Sequence, residues 1–263
     1  MKIGFIGCGN MGGALATAIS KRASVMLADY DMKKAEILAK TLGGKAANND
    51  TVVNECDYIF LGVKPQMLRS VADSLKETLK NRKSRFVLVS MAAGVKTDKL
   101  CEMFGDFPVI RIMPNTPVAV EEGMILYCAN DKVTENEKTA FLDFMQNAGE
   151  TDEIPEKLID AASAVSGCGP AFVYMFIEAL ADGGVKCGLT RKQALYYAAQ
   201  TVKGAAENLM QSGRHPGELK DAVCSPGGST IAGVAALEDA AFRSGVMSAV
   251  EKAYKRTTEL GKQ

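Results

Sequence analysis

Residues 2–12 read Lys2-Ile3-Gly4-Phe5-Ile6-Gly7-Cys8-Gly9-Asn10-Met11-Gly12, and this stretch decides the fold class. It starts as a short apolar strand and continues into a helical pattern from Asn10 to about residue 21. Gly7, Gly9 and Gly12 have the spacing G-x-G-x-x-G, which binds a dinucleotide when it joins a strand to a helix. In that role Gly7 makes the tight turn, Gly9 lets a pyrophosphate approach the backbone, and Gly12 lets helix and strand pack closely. We therefore predict a dinucleotide-binding loop at residues 7–12.

Short strands alternate with helical patterns as far as about residue 154. The predicted strands cover 2–7, 25–28, 58–63, 86–89, 109–113 and 124–127. The runs at 58–63 and 86–89 are apolar throughout, as expected of strands buried on both faces. The alternation predicts an α/β fold with a doubly wound, Rossmann-type parallel sheet over residues 1–154.

The pattern changes after Pro155. Residues 155–263 are rich in Ala, Leu, Lys and Glu, and they predict an all-helical domain with helices near 156–166, 170–186, 191–212, 217–223, 229–241 and 244–261. The segment from Phe172 to Val185 is apolar on nearly every face, so it must be covered on all sides. We expect a second subunit to cover it and the domain to mediate dimerisation; packing within one chain is the alternative.

Composition narrows the classes of partner. Lys plus Arg and Asp plus Glu both number 31, which argues against nucleic acid and anionic membrane surfaces and favours a small molecule or a second copy. Seven scattered cysteines and the single His215 exclude a Cys/His zinc site, and we predict no metal. No signal peptide or membrane-spanning run is evident, so we expect a soluble cytoplasmic protein with reduced thiols.

Asp29 bears on the choice of cofactor. It lies about twenty residues past the first glycine, where a carboxylate accepts hydrogen bonds from the ribose hydroxyls and repels a 2′-phosphate. A solvated turn residue is the alternative interpretation. Lys33 and Lys34 lie close by and would counter the repulsion. We expect NAD(P)H, with a preference for NADH.

The second chemical signal is Cys224-Ser225-Pro226-Gly227-Gly228-Ser229-Thr230. A Pro-Gly turn here precedes a helix whose first N–H groups, together with the hydroxyls, favour an anion. A simple helix cap is the competing interpretation.

Alcohol oxidation would require a base near the substrate. His215 lies in a turn before a helix, and the helix that follows Ser163–Pro170 carries no basic residue before Lys186. A catalytic lysine of the β-hydroxyacid dehydrogenase type is therefore missing. An imine is an easier hydride acceptor, since it chiefly has to be positioned and kept from water.

These motifs together resemble the pyrroline-5-carboxylate reductases over residues 1–262. Besides residues 4–12, the landmarks are Val63-Lys64-Pro65, Ala92-Ala93-Gly94-Val95, Met113-Pro114-Asn115-Thr116-Pro117, Ser166-Gly167-Cys168-Gly169-Pro170-Ala171, Ala181-Asp182-Gly183-Gly184-Val185 and Leu219-Lys220-Asp221 before the Pro-Gly-Gly turn. The resemblance implies reduction of 1-pyrroline-5-carboxylate to L-proline, the last step of proline biosynthesis, by a homodimer or larger homo-oligomer.

The resemblance also implies roles for single residues. Gly7 to Gly12 would hold the pyrophosphate, Asp29 and Asn49 the adenosine ribose, and Val63, Lys64, Pro65, Ala92, Ala93 and Gly94 the nicotinamide half. Ser225, Gly228, Ser229 and Thr230 would bind the substrate carboxylate. Asn115 would lie near the reacting ring or serve only as a turn residue. Thr230 would also help to protonate the ring nitrogen, which makes it the predicted catalytic residue.

The sequence departs from the family at three positions. Asp29 stands where members that use NADPH often carry small, uncharged or basic residues. Cys168 and Cys224 replace common Ser or Thr residues, and we expect them to pack rather than react. Two alternatives remain at this point: a β-hydroxyacid-type dehydrogenase, and a non-catalytic nucleotide-sensing protein on the same fold.

Overall fold

The computed structural model describes residues 1–260 and contains an α/β half followed by a helical half. The strands are β1 Lys2–Ile6, β2 Ser24–Ala28, β3 Lys45–Ala46, β4 Tyr58–Leu61, β5 Val87–Ser90, β6 Val109–Met113, β7 Gly123–Ala129 and β8 Gly149–Glu153. The helices between them are α1 Asn10–Ser20, α2 Met32–Leu42, α3 Asn49–Glu55, α4 Leu68–Asn81, α5 Thr97–Phe104 and α6 Glu135–Met145. The remaining helices are α7 Glu156–Ser166, α8 Gly169–Lys186, α9 Arg191–Ser212, α10 Pro216–Ala222, α11 Ser229–Asp239 and α12 Phe242–Leu260.

One sheet organises the first half, with strand order β3-β2-β1-β4-β5-β6-β7-β8. The chain runs outward from β1 to β3, returns to the other side of β1, and runs outward again from β4. The order therefore reverses between β1 and β4, which is the point where open α/β sheets bind ligands. The predicted doubly wound sheet with a helical domain after it is confirmed.

The sheet is parallel except where β7 joins β6 antiparallel, so the wholly parallel prediction needs this correction. Only residues 114–122 link β6 to β7. A parallel crossover requires a dozen or more residues, and this link is too short for one.

Two strands were missed in the sequence. Strand β3 has two residues, and β8 reads Gly149-Glu150-Thr151-Asp152-Glu153, polar at nearly every position. Strand β3 forms one edge of the sheet and β8 forms the other, and an edge strand need not be apolar.

The two faces of the sheet carry separate apolar layers. Phe5 and Phe60 stack with ring centroids 4.6 Å apart, and Phe144 meets Phe60 edge-on on the same face. The opposite face packs Ile59 and Leu61 against helices α3 and α4. Burial on both faces explains the unbroken apolar runs at 58–61 and 86–89.

Glu137 stabilises α6 in two ways. Its carboxylate accepts hydrogen bonds from the Thr134 N–H at 2.8 Å and from both Arg85 Nε and Nη2, at 2.6 and 2.9 Å. The hydrogen bond from Arg85 lowers the pKa of Glu137 below its usual value.

We expect Glu137→Gln to lower the free energy of unfolding by about 1–2 kcal/mol at pH 7. Because the folded-state pKa of Glu137 is depressed, its contribution is present above the unfolded-state pKa, about 4.3, and is lost as the pH falls below it. Urea unfolding at pH 7 and at about pH 3.5 measures the difference, which should shrink at the lower pH. The control is Glu135→Gln, since the Glu135 side chain is 85% exposed; an equal loss in both variants would contradict the account.

The chain divides into two compact units. Of the described residues, one unit comprises Met1–Cys168 and 253–260, and the other comprises Gly169–Lys252. The first unit includes α7, whose Ile159 packs with Met113 and Leu126 of the sheet. The predicted domain boundary after residue 154 stays a prediction. Three predicted limits lie outside the described residues: the end of the last helix at 261, the end of the family resemblance at 262 and the end of the helical domain at 263.

The second unit contains a close pair of helices, α8 and α9. Small residues form the contact: Ala181 packs with Ala194 and Ala198, and a Cβ added to Gly184 would lie 3.2 Å from the Ala194 Cβ. Large apolar side chains on the outside of the unit, among them Met175 and Tyr196, stay exposed in the single chain.

The helical run Glu156–Lys186 is long and apolar enough to cross a membrane by length and composition alone. That test is weak, because core helices of soluble proteins also pass it. A helix that is covered by a second copy of the chain is also apolar on most faces. The composition of this run therefore does not distinguish a membrane-spanning helix from a helix in a subunit interface.

Candidate cofactor and substrate sites

The glycine-rich loop is held by contacts that leave no room for side chains at two of its positions. Gly7 has φ 102°, and a Cβ there would lie 2.7 Å from the carbonyl of Gly62. A Cβ at Gly12 would lie 2.2 Å from the Gly7 oxygen. Gly62, which directly follows β4, is therefore a third member of this contact at the strand-order reversal. We missed it in the sequence, although a glycine that ends a buried apolar run was the available signal.

Gly9 differs from its neighbours because nothing lies within 4 Å of a Cβ built on it. It precedes α1 with extended backbone, and no side chain of the described residues caps that helix. The start of α1 therefore combines N–H groups that no side chain caps with open space beside Gly9, an arrangement that suits a phosphate.

Asp29 holds the glycine loop from the end of β2. Its Oδ2 accepts a hydrogen bond from the Cys8 N–H at 2.7 Å, and its Oδ1 accepts one from the Asp31 N–H at 2.9 Å. A carboxylate has about four lone-pair positions, so two remain for ribose hydroxyls. Lys34 is exposed and lines a cleft of about 420 Å³ that also includes Gly9.

Cys8 contributes its backbone rather than its thiol. Burial, and then the negative charge of Asp29, raise the pKa of Cys8 to about 12, so the thiol stays protonated at neutral pH. The Gly7 and Cys8 N–H groups are used within the protein, so the loop offers a dinucleotide the first N–H groups of α1 and the space beside Gly9, and it fits one.

The other predicted cofactor residues follow strands of the same sheet. Val63, Lys64 and Pro65 come after β4, and the buried Ala92, the exposed Ala93 and Gly94 come after the neighbouring β5. Because β1, β4 and β5 are adjacent and parallel, their carboxyl ends share one edge with the glycine loop. Asn49 is the first residue of α3, which Asn48 caps through a 2.8 Å bond from the Thr51 N–H.

Asn115 is buried, with 9% of its surface exposed. Its Nδ2 donates to the Ser166 carbonyl at 3.0 Å, and its Oδ1 accepts from the Met124 N–H at 2.8 Å. Both polar ends are therefore used within the protein, which fits the alternative of a structural turn residue. Contact with a substrate stays a prediction.

In the second unit the residues before α11 form a tight turn. The Gly228 N–H donates to the Ser225 carbonyl at 3.0 Å and closes a four-residue turn. Pro226 is the second residue of this turn, and Gly227 is the third, with φ 65°. Proline followed by a left-handed glycine is the pattern of a type II turn. A Cβ at Gly228 would lie 2.4 Å from the Ser225 Oγ, so a larger residue there would require the Ser225 side chain to move.

The turn leaves the start of α11 available to a ligand. Gly228 is the N-cap, and no side chain within residues 1–260 caps the helix. Ser229 and Thr230 are exposed on its first turn. N–H groups and hydroxyls thus converge at one helix N-terminus, which suits a carboxylate.

Three further polar residues singled out in the sequence are His215, Cys168 and Cys224. His215 caps α10, where its Nδ1 accepts a hydrogen bond from the Gly217 N–H at 3.1 Å. Cys168 and Cys224 are half-buried free thiols. Among the described residues, no cluster of His, Cys, Asp or Glu is suited to a metal ion.

Comparison with known proteins bears on both sites. Residues 2–94 match the family described as NADP oxidoreductase, coenzyme F420-dependent, and residues 156–260 match pyrroline-5-carboxylate reductase dimerisation. The chain is 40% identical to the pyrroline-5-carboxylate reductase of Arabidopsis thaliana over 98% of its own length and 95% of the relative's. The Escherichia coli enzyme of that name is also 40% identical, with coverage of 99% and 98%. A crystal structure of Plasmodium falciparum pyrroline carboxylate reductase with NADP bound matches with a TM-score of 0.89 at 36% identity, over 99% and 98% of the two chains.

The sheet, the glycine loop at its reversal point and the helical dimerisation unit define an oxidoreductase that uses a nicotinamide dinucleotide and works as a homo-oligomer. Within that class, the chain belongs to the pyrroline-5-carboxylate reductase family. The resemblance inferred from the sequence motifs is confirmed.

Proposed function

We propose that this chain reduces 1-pyrroline-5-carboxylate to L-proline, the last step of proline biosynthesis. The observation that carries the proposal is the uncapped start of α11, where N–H groups and the hydroxyls of Ser229 and Thr230 are free for a carboxylate. Membership of the family and the open glycine loop support it.

The cofactor site would be built from the first unit. Gly7, Cys8, Gly9, Asn10, Met11 and Gly12 hold the pyrophosphate, Asp29 and Asn49 the adenosine ribose, and Val63, Lys64, Pro65, Ala92, Ala93 and Gly94 the nicotinamide half. When bound, the reduced nicotinamide supplies a hydride to the C5 carbon of the imine. The chain positions the two partners and excludes water, which is the main demand of this reaction.

The substrate would be held by the second unit. Ser225, Gly228, Ser229 and Thr230 bind its carboxylate, with charge-assisted hydrogen bonds from helix N–H groups and hydroxyls. The Thr230 hydroxyl also contacts the ring nitrogen and, with an ordered water, delivers its proton. A contact of Asn115 with the substrate stays part of the proposal, although its Nδ2 already donates to the Ser166 carbonyl.

The test is to mix the chain with 1-pyrroline-5-carboxylate and either NADH or NADPH, and to follow the absorbance of the reduced cofactor. Substrate-dependent decay supports the reductase. No decay with either cofactor would favour a nucleotide-sensing protein. A β-hydroxyacid dehydrogenase would instead oxidise a hydroxy acid, but α8 carries no basic residue before its last, Lys186.

For the cofactor, we propose a preference for NADH. The carboxylate of Asp29 lies beside the glycine loop and would repel a 2′-phosphate. We expect Asp29→Ser to shift the ratio of kcat/KM for NADH over NADPH by at least about tenfold toward NADPH. The variant removes the repulsion between the carboxylate and the 2′-phosphate, and a repulsion of about 1.4 kcal/mol corresponds to a tenfold change. The control is Asp31→Ser, whose carboxylate caps α2 through the Lys33 N–H. A native enzyme that prefers NADPH, or a ratio unchanged in Asp29→Ser, would contradict the proposal.

We also propose that the enzyme works in the cytoplasm as a homodimer or larger homo-oligomer, with no nucleic-acid or membrane partner. The free cysteines, the balanced charge and the dimerisation unit support this.

A further inference from the structure

Arg111 is a buried charge that the reaction above does not use. It lies on β6 with no exposed surface, and its Nη2 donates to Asp160 Oδ1 at 2.7 Å. Its Nη1 lies 3.4 Å from Glu156 Oε1. Its Nε has no hydrogen-bond partner among the described residues. A buried guanidinium that leaves one donor unpaired is costly, and apolar residues often replace such groups without loss of stability.

Glu156 connects this charge to the start of α5. Its Oε1 accepts a hydrogen bond from the Thr97 N–H at 2.7 Å, and its Oε2 accepts one from the Thr97 hydroxyl at 3.0 Å. The residue before α5, Lys96, makes no side-chain cap of its own. The N-terminus of α5 is thus capped from α7, a helix far away in sequence.

The loop that precedes α5 is the one assigned to the nicotinamide half. It runs from Ser90, where β5 ends, to Lys96, and contains Gly94 at φ 74°. Its internal hydrogen bonds are long: the Ala92 N–H to Ser90 Oγ at 3.3 Å and the Val95 N–H to the Ala92 carbonyl at 3.4 Å. Such bonds are weak, so the loop is held chiefly by its two ends and by the packing of Met91, Ala92 and Val95 against the apolar layers of the sheet. Strand β5 fixes the first end and the Thr97–Glu156 pair fixes the second.

We propose that Glu156, oriented by Arg111, is a positioning residue that fixes the 91–96 loop and thereby places the nicotinamide ring. The inference rests on the proposed role of Ala92–Gly94. Arg111 holds the carboxylate in one orientation, and the carboxylate holds Thr97. Neither side chain contacts the reacting atoms in this account.

Paired binding measurements test this without turnover. We expect Glu156→Ala to raise the Kd of the reduced cofactor about tenfold and to leave the Kd of ADP-ribose, which lacks the nicotinamide, within about twofold of the native value. Glu156→Gln keeps an acceptor for the Thr97 N–H and should restore most of the cofactor affinity. The matched control is Glu102→Ala, which removes the exposed partner of Lys99 on α5 and should change neither Kd.

Should Glu156→Ala fail to fold, Thr97→Val carries the test, because it removes one hydrogen bond at nearly constant volume. It should raise the cofactor Kd about threefold relative to that of ADP-ribose. Parallel losses for both ligands, or no loss for either, would overturn the proposal. Because no reaction is needed, a chain that fails to reduce 1-pyrroline-5-carboxylate still gives a clear answer on positioning.

Discussion

Replacing Gly9 by alanine is expected to weaken binding of the reduced cofactor at least about 30-fold, or about 2 kcal/mol, and to leave the fold intact. A Cβ at this position meets nothing within 4 Å in the protein, and the backbone has φ −66°, which alanine adopts freely. The methyl group would therefore disturb only a ligand that approaches the backbone closely. Fluorescence titration with the cofactor and a melting curve measure the two effects.

Gly13→Ala is the matched control for this variant. Gly13 lies on α1, which Gly9 precedes, and its Cβ would make ordinary contacts of 3.6 Å with Cys8 and Leu38. We expect native affinity from it. If Gly9→Ala binds the cofactor as tightly as the native chain, or if both variants lose affinity equally, then the space at Gly9 does not hold the pyrophosphate.

Replacing Thr230 by alanine is expected to raise the KM for 1-pyrroline-5-carboxylate at least about 30-fold and to leave the Kd of the cofactor within about twofold. Hydrogen bonds to a charged group contribute about 1.5–3 kcal/mol, and this variant removes one. The side chain is exposed on the first turn of α11 and caps nothing there, so its loss should not disturb the helix. Steady-state kinetics with varied substrate, together with cofactor titration, separate the two effects.

Thr230→Ser retains the hydroxyl and should keep the KM within a few-fold of the native value. Proline formation that is unchanged in Thr230→Ala would exclude the residue from the site. A KM raised equally in the serine and alanine variants would assign the effect to the lost methyl group rather than to the hydroxyl.

Local signals made most of the fold predictable. The glycine spacing after β1 and the apolar runs of β4 and β5 are contiguous in the sequence, so they could be interpreted without tertiary information. Strand β8 could not, because an edge strand with the sequence Gly-Glu-Thr-Asp-Glu carries no apolar run. The antiparallel direction of β7 follows from the short connection between β6 and β7. It could be inferred only after both strands had been placed in the sheet.

The residues of the candidate site also divide into those that a local sequence pattern predicts and those that depend on distant partners. The Pro-Gly-Gly turn before α11 carries its geometry in its own residues, since proline and a left-handed glycine specify the turn. The roles of Asn115, Arg111 and Glu156 depend on partners distant in sequence, so no local pattern could indicate them. Gly62 also required the neighbouring strand, because its need for glycine comes from the Gly7 oxygen, 2.4 Å from an added Cβ.

The most direct measurement of the central claim is the fate of a labelled hydride. The native chain is mixed with 1-pyrroline-5-carboxylate and reduced cofactor that carries deuterium at the transferring position of the nicotinamide, and the product is analysed by mass spectrometry and NMR. The account predicts L-proline in equal amount to the oxidised cofactor, with one deuterium at C5. Absence of proline, or proline without deuterium at C5, would contradict it.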